Sequence, residues 1–290
     1  MQPRPIDALL QPRGPYSLRL SARHASDATR IVRDGVLEAA IRGPEGLERV
    51  RAHQRPDGAI AVTAASEAGV EHIRFVLGLD DDHTEFLRRF AGDELLAATL
   101  RRLRGLRPIR TATVAHALLR AVCGQLITAR RAREIERLVI RRTAPVLGGL
   151  HAAPTAEELG TLSPAGLRGL GLGARRGTTL VRLCRSLDLE GLKQQPTEAV
   201  ARRLEREAGL GPWSVGVIAL EGLGRYERGL ARDLGLARLA GALAGRRVEP
   251  EETDALLEPY GEWAGLASVY LLAGFHAGLV PLDRAGRLAA

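Results

Sequence analysis

The sequence has few cysteines, few aromatic residues and a single lysine, Lys193. Its two cysteines, Cys123 and Cys184, are too few for a disulfide framework, a zinc site or an iron–sulfur cluster. No run approaches the roughly 18 apolar residues that a membrane helix needs. The proline-broken start MQPRPIDALLQPRGPYS lacks the continuous apolar core of a secretory signal. We therefore expect a cytoplasmic protein with no membrane contact.

Arginine, in contrast, is abundant. The formal net charge is +8 and the pI about 10.5, which favours a polyanionic partner such as nucleic acid. The same bias is also typical of a GC-rich genome. Some arginines are expected to pair with glutamates along helix faces, as in REIERLVIRR over residues 133–142. The net charge alone therefore does not identify the binding partner.

The first third of the sequence differs in pattern from the remainder. Short alternating segments such as YSLRLSA and GAIAVTAAS predict a small antiparallel sheet from about residue 15 to 80, with one helix inserted near Ser26–Asp34. Beyond Asp80 the apolar residues recur at three and four positions, which is typical of helices. The predicted fold class is α+β, with a β-rich N-terminal domain over residues 1–82 and a mostly α-helical body over 83–290.

Glycine and proline mark the breaks between the helices of the body. A chain of 290 residues is long enough for at least one substantial core between such helices. The helices are expected at about 84–90, 93–104, 112–122, 128–142, 155–160, 163–170, 175–187, 197–208, 213–221, 234–244, 252–258 and 262–276.

Two Gly-Leu-Gly turns, Gly171–Gly173 and Gly209–Gly211, each separate a pair of predicted helices. A Gly-x-Gly turn that opens a helix exposes backbone N–H groups at the positive end of the helix dipole, which suits a phosphate. Either turn alone is also explained as a helix joint with glycine at the C-cap. A nucleotide-binding loop is disfavoured, because the segment before Gly209 is helical and not a strand.

The second turn carries a family resemblance. The stretch AGLGPWSVGVIAL, with Asp233 lying 22 residues beyond Gly211, resembles the hairpin and catalytic aspartate of the helix–hairpin–helix DNA glycosylase superfamily. At the same spacing from the first turn stands Gln195. ALLRAVCGQLITARRA and LEPYGEWAGLASVYLLAGF resemble the wedge-bearing and last helices of the bacterial DNA-3-methyladenine glycosylase II type. The resemblance covers most of the chain and places the hairpin motif at about 197–222.

The resemblance implies a role for each matched residue. Asp233 would be catalytic and would stabilise the positive charge that builds on the sugar as the N-glycosidic bond breaks. Leu126 would enter the gap left by a flipped-out nucleotide. The residues implied in DNA binding are Gly209, Leu210, Gly211, Ser214, Gln125 and Leu126. The base pocket would be lined by Trp213, Val217, Leu234 and Tyr270.

The same resemblance implies a monofunctional enzyme of base excision repair that acts on alkylated purines such as 3-methyladenine. Family members that also cut the strand use a lysine near the start of the second hairpin helix, where this chain has Trp213. Lys193 is expected at the surface. The implied partner is double-stranded DNA containing damaged bases, bound by a monomer. No cofactor or metal is implied, apart from a monovalent cation that hairpin carbonyls could bind.

Several alternatives stay open. Asp233 directly precedes an apolar helical pattern and is also explained as an N-cap, while Asp254 is a second candidate acid. A pocket for a cationic base is usually rich in aromatic residues, yet the chain is 3% aromatic and Trp263 is expected as a core anchor. A glycosylase for deaminated or oxidised bases, or a catalytically weak or inactive damaged-DNA-binding protein, would fit the same sequence.

Overall fold

The computed structural model describes residues 5–282 and confirms the α+β class. An antiparallel five-stranded sheet comes first, with strand order β1-β5-β4-β3-β2. Its strands are β1 Ile6–Leu10, β2 Arg30–Arg33, β3 Val36–Gly43, β4 Gly46–Gln54 and β5 Ile60–Ala64. Alternate residues of β4 are buried, as expected for a sheet with one face on a core.

Two helices lie where the sequence predicted only strands. The segment YSLRLSA contains the short helix α1, Leu18–Ser21, because the Ser17 hydroxyl accepts a backbone N–H of the first turn and so caps a helix. Helix α2, Glu67–Val76, covers the sheet and is capped in the same way by Ser66. In addition, β1 precedes the expected start of the sheet and pairs with β5.

The helix expected near Ser26–Asp34 is wrong. Oδ1 of Asp27 accepts hydrogen bonds from the N–H groups of Thr29 at 2.7 Å and Arg30 at 3.2 Å. These bonds form a turn that leads directly into β2. A side-chain acceptor has here replaced the backbone carbonyls that a helix would need.

The helical body agrees with the prediction, since each helix expected between residues 84 and 276 is present with small shifts at its ends. Its helices are α3 Thr84–Arg89, α4 Ala97–Arg102, α5 Val114–Gly124, α6 Ala129–Thr143, α7 Ala156–Gly160, α8 Pro164–Gly169, α9 Ala174–Ser186, α10 Thr197–Glu205, α11 Pro212–Val217, α12 Leu234–Ala244, α13 Thr253–Leu257 and α14 Ala264–His276.

Several short elements were not predicted. A small hairpin between α6 and α7 pairs β6, Val146–Leu147, with β7, Leu150–His151. Helix α11 continues without a break into a π-helix, Ile218–Leu223. Short 3₁₀-helices lie at Glu190–Gln194, Pro250–Glu252 and Glu258–Trp263. Within residues 5–282, no helix is long and apolar enough to cross a bilayer.

The division into domains at residues 82 and 83 falls between α2 and α3 and stays a prediction. Its outer ends, residues 1–4 and 283–290, lie outside the described part of the chain. The sheet with α2 has one hydrophobic core. The helical body has two others, one around α5, α6 and α9 and one around α12 and α14.

A network of buried and partly buried charged side chains joins the sheet region to the helical body. The Arg120 guanidinium, on α5, donates to Asp27 at 2.9 Å, to Glu136 of α6 at 2.9 Å and to Glu221 of the π-helix at 2.6 Å. Glu136 also bonds His116 at 2.7 Å. Asp27, His116 and Glu136 place ligand atoms within 4.8 Å of one another, as a metal site would, but the guanidinium supplies the positive charge between the two carboxylates. We call these five residues the Arg120 cluster.

The Arg120 cluster lowers the pKa of two of its carboxyl groups, those of Glu136 and Asp27. Burial by itself would raise the pKa of Glu136, but the Arg120 charge and the His116 hydrogen bond outweigh burial and lower that pKa from 4.5 to about 2. The pKa of Asp27 is also lowered, against the effect of burial, chiefly by Arg30. A carboxyl group whose pKa is lower in the folded chain stabilises the fold at neutral pH. This stabilisation is lost as the pH falls through the folded-state pKa.

We expect Glu136→Gln to lower the unfolding free energy at neutral pH by on the order of 3 kcal/mol, and to flatten the fall in stability between about pH 5 and pH 2. Denaturant unfolding at a series of pH values measures both effects. Glu134→Gln is the matched control, because Glu134 lies on the same helix in an exposed ion pair with Arg130. An acid dependence unchanged by Glu136→Gln would show that the cluster does not stabilise the fold in this way.

Candidate active site at the second hairpin

The second Gly-Leu-Gly turn forms a helical hairpin between α10 and α11. Gly209 has a φ of +94°, which L side chains rarely adopt. Gly211 is the N-cap of α11, and no atom lies within 4 Å of the position that its Cβ would take. The N-terminus of α11 can therefore be approached at Gly211, as an anion-binding site requires.

Asp233 is the N-cap of α12. Its Oδ1 accepts hydrogen bonds from the N–H groups of Gly235 at 2.7 Å and Leu236 at 3.1 Å. Its Oδ2 accepts from the indole N–H of Trp213, on α11, at 2.8 Å. One carboxylate thus caps a helix and contacts the hairpin. Since a carboxylate has about four acceptor positions, Oδ2 keeps the capacity for one more partner.

The turn before Asp233 is strained and is held by buried hydroxyls. Arg232 has a φ of 65°, which costs a non-glycine residue about 1–2 kcal/mol. Its N–H donates to Oγ1 of Thr253 at 2.7 Å, and the N–H of Leu230 donates to Oγ of Ser268 at 3.0 Å. Both hydroxyl residues are fully buried. Helices α13 and α14 therefore fix the direction in which Asp233 leaves its turn.

Gln125 and Leu126 follow α5 in a turn that lies against the hairpin. The Gln125 side-chain nitrogen donates to the carbonyl of Gly209 at 2.8 Å and to Oγ of Ser214 at 3.0 Å. Leu126 has a φ of 57°, again the left-handed region that costs a non-glycine residue about 1–2 kcal/mol. Within residues 5–282, its side chain is the most exposed of the large hydrophobic residues, at 91%. The leucine is thus held outward from the turn, and its role as a wedge stays a prediction.

Trp213 connects the turn after α5 to Asp233. Its ring lies beside Gly124, where a Cβ would come within 2.5 Å of the ring. Any larger residue at Gly124 would displace the indole that bonds Asp233. Sequence reasoning missed Gly124, and its only signal was a glycine two residues before the predicted wedge, Leu126.

The remaining predicted pocket residues differ in exposure. Leu234 is 47% exposed and borders a groove of about 360 Å³ along α12. Val217 is buried in the core around α5. Tyr270 is buried in the core around α14, where its hydroxyl donates to the carbonyl of Leu106 at 3.0 Å and lies 3.4 Å from that of Leu103. Of the four, only Trp213 and Leu234 present surface at Asp233, and the pocket assignment stays a prediction.

Two other predicted features have defined surroundings. Two of the hairpin carbonyls considered for a monovalent cation already accept hydrogen bonds from side chains. The carbonyl of Ala208 accepts from Arg182 at 2.9 Å, and that of Gly209 accepts from Gln125. Leu210, also predicted to bind DNA, is buried. Trp263 packs its ring 5.7 Å from that of Phe86, which confirms it as a core anchor.

In its fold and its hairpin the chain is similar to the helix–hairpin–helix DNA glycosylases, of the AlkA type. It is similar to the "Probable bifunctional transcriptional activator/DNA repair enzyme AlkA" of Mycobacterium tuberculosis, with 28% identity over 253 residues, or 83% of this chain. The chain spans about half, 50%, of that relative's length. No protein-family model matches the sequence.

Solved structures show the same fold at lower sequence identity. The 3-methyladenine DNA glycosylase from Archaeoglobus fulgidus superposes with a TM-score of 0.82 at 22% identity, over 93% of this chain and 98% of that one. The Clostridium acetobutylicum 8-oxoguanine glycosylase/lyase, solved with DNA containing cytosine opposite 8-oxoG, superposes with a TM-score of 0.74 at 16% identity, over 91% and 93%. These likenesses concern the fold.

Gly209→Ala should lower the melting temperature by several degrees, while Gly211→Ala should leave it nearly unchanged. Alanine is strained at the φ of +94°, and its Cβ would overlap the hydroxyl of Thr179, at a cost of about 1–3 kcal/mol. Gly211 has an ordinary φ of −105° and open space. Calorimetry of the two variants measures the difference in melting temperature. Equal decreases in the two variants would contradict the described hairpin.

Proposed function

We propose that the chain is a monofunctional DNA glycosylase of base excision repair, which hydrolyses the N-glycosidic bond of flipped-out alkylated purines such as 3-methyladenine. The observation that carries the proposal is the Asp233 carboxylate, held at 2.8 Å by Trp213 of the hairpin. A phosphate bound at the N-terminus of α11 would thereby lie at a fixed distance from the acid. The similarity to a probable DNA repair enzyme and to a 3-methyladenine DNA glycosylase supports the same activity.

The proposed chemistry needs one acid. Departure of the base leaves an oxocarbenium-like positive charge on the sugar, as in glycoside hydrolysis. The Asp233 carboxylate would stabilise that charge and orient the attacking water through the free capacity of Oδ2. A purine alkylated on a ring nitrogen already carries positive charge and leaves without a general acid.

The lysine content supports hydrolysis without strand cleavage. A lyase step needs an amine that attacks the sugar carbon and forms a Schiff base. The first turn of α11 carries Trp213 and no amine. Lys193 is paired with Glu190 at 2.7 Å and lies 5.2 Å from the centre of the Phe75 ring. We therefore propose that the product is an intact strand with an abasic site.

A glycosylase for oxidised bases is the second candidate. Val217 and Tyr270 are buried, so that Trp213 is the one aromatic residue among the four predicted pocket positions with surface at the site. A cationic base would gain less from such a pocket than from an aromatic sandwich. The likeness in fold to an 8-oxoguanine glycosylase/lyase favours including that lesion in any substrate test.

Asp233→Asn should lower the single-turnover rate of base release by about 100-fold or more, because the amide keeps a capping oxygen but loses the negative charge. Purified protein is incubated with duplexes that carry 3-methyladenine, hypoxanthine or 8-oxoguanine. Alkali then reveals abasic sites, and omission of alkali reports any lyase cleavage. Fragments formed without alkali would contradict the monofunctional assignment.

Asp93→Asn is the matched control for this experiment. Asp93 also accepts from two backbone N–H groups, those of Leu95 and Leu96, and from one aromatic side chain, Tyr260. Each substitution thus removes one negative charge from a carboxylate that accepts the same kinds of hydrogen bond, and only Asp233 lies at the hairpin. Equal activity of Asp233→Asn and the natural protein would remove Asp233 from the mechanism. Absence of release from every lesion by the natural protein would favour a damaged-DNA-binding role.

Gly211→Val should weaken binding to duplex DNA by about tenfold, and to the same degree for unrelated sequences. The new side chain would occupy the open approach to the α11 N-terminus, and phosphate contacts carry no sequence information. Fluorescence anisotropy at fixed salt measures the affinities. Gly92→Val is the control, since Gly92 also has open space around its Cβ position. A loss confined to one sequence would contradict phosphate anchoring.

A further inference from the structure

The turn that carries the predicted wedge is held from a third helix. We define the wedge turn as residues 123–127. The Arg176 guanidinium, from the first turn of α9, donates to the carbonyl of Gln125 at 3.0 Å and to that of Cys123 at 3.3 Å. Carbonyls at the end of an α-helix have no partner within that helix. Arg176 thus supplies the donors that end α5 and start the wedge turn.

The conformation of the wedge turn requires such support. Leu126 has a φ of 57° and a side chain that is 91% exposed, so packing of the side chain does not offset the strain of the backbone. An unsupported leucine would return to the favoured right-handed or extended regions, and its side chain would change direction. The donors that oppose this are the guanidinium of Arg176 and the side-chain amide of Gln125, which bonds Gly209 and Ser214 of the hairpin.

We propose that Arg176 is a positioning residue that holds the wedge turn in its projecting, left-handed conformation before DNA binds, with Gln125 linking the turn to the hairpin. The proposal rests on the proposed function, in which Leu126 fills the gap left by an everted nucleotide. The phosphate-binding turn and the wedge are then one rigid unit. DNA binding then does not have to order the wedge turn. Because this entropic cost is absent, the complex with an everted base is favoured over a complex in which the base stays stacked.

The test compares Arg176→Met with Arg185→Met. Arg185 lies on the same helix and also donates to a backbone carbonyl, that of Gly160 at 2.8 Å, so both variants lose one charge and carbonyl contacts. Both carbonyls accept from one nitrogen of Arg176, Nη1, and Arg176→Lys keeps the charge on a shorter stem that does not place a nitrogen there. Hydrogen–deuterium exchange of residues 123–128 in the protein alone reports the wedge turn. Fluorescence of 2-aminopurine in a bound duplex reports eversion.

We expect Arg176→Met to exchange these amides about tenfold faster or more, and to lose most of the fluorescence rise on binding, while Arg185→Met matches the natural protein. Base release should fall about tenfold on duplex and less than twofold on single-stranded substrate, which needs no eversion. Arg176→Lys should resemble Arg176→Met.

An unchanged exchange rate in Arg176→Met would overturn the proposal. Equal losses of base release on duplex and single-stranded substrate, or full base release by Arg176→Lys, would also overturn it. Such results would mean that Arg176 acts through the fold as a whole or through charge alone. Failure of the natural protein to release any base would refute the proposed function. The exchange measurement would still decide whether Arg176 holds the wedge turn.

Discussion

The hydrogen bond between the Trp213 indole and the Asp233 carboxylate is the contact on which the site depends. It joins the first turn of α11 to the start of α12, two elements that are separated by the π-helix and a turn. Because the other carboxylate oxygen caps α12, the acid has little rotational freedom. Its position relative to the hairpin is set before any ligand binds, which is the condition for electrostatic stabilisation of a developing charge.

Backbone strain is concentrated around this contact. Among residues 5–282, the non-glycine residues with positive φ are Asp34, Leu126 and Arg232. Asp34 lies in the ordinary hairpin between β2 and β3, whereas Leu126 and Arg232 flank the proposed site. Each of the latter two has neighbouring donors or acceptors from other helices that compensate for the strain. Strained residues that the surrounding structure stabilises are typical of functional sites.

The sequence predicted the helical body and the hairpin well, because apolar spacing and glycine breaks are local signals. It also predicted the two roles of Asp233 as alternatives, and the N-cap role is confirmed, while catalysis stays a proposal. It did not predict the bond from Trp213, the clamp by Arg176 or the left-handed Leu126, since these depend on which helices meet in three dimensions. The wrong helix near Ser26–Asp34 has the same origin, because Asp27 is engaged by Arg120 of α5 as well as by its own turn.

The proposed function depends on geometry: the anchored carboxylate would lie beside the sugar of an everted nucleotide while the hairpin holds the strand. The most direct measurement is a crystal structure with duplex DNA that contains a cationic pyrrolidine analogue of the abasic sugar. We predict that Oδ2 of Asp233 contacts the ring nitrogen, that a phosphate lies at the N-terminus of α11 and that Leu126 fills the gap. An analogue bound with Asp233 facing away from the ring, or beyond the reach of its side chain, would contradict the account.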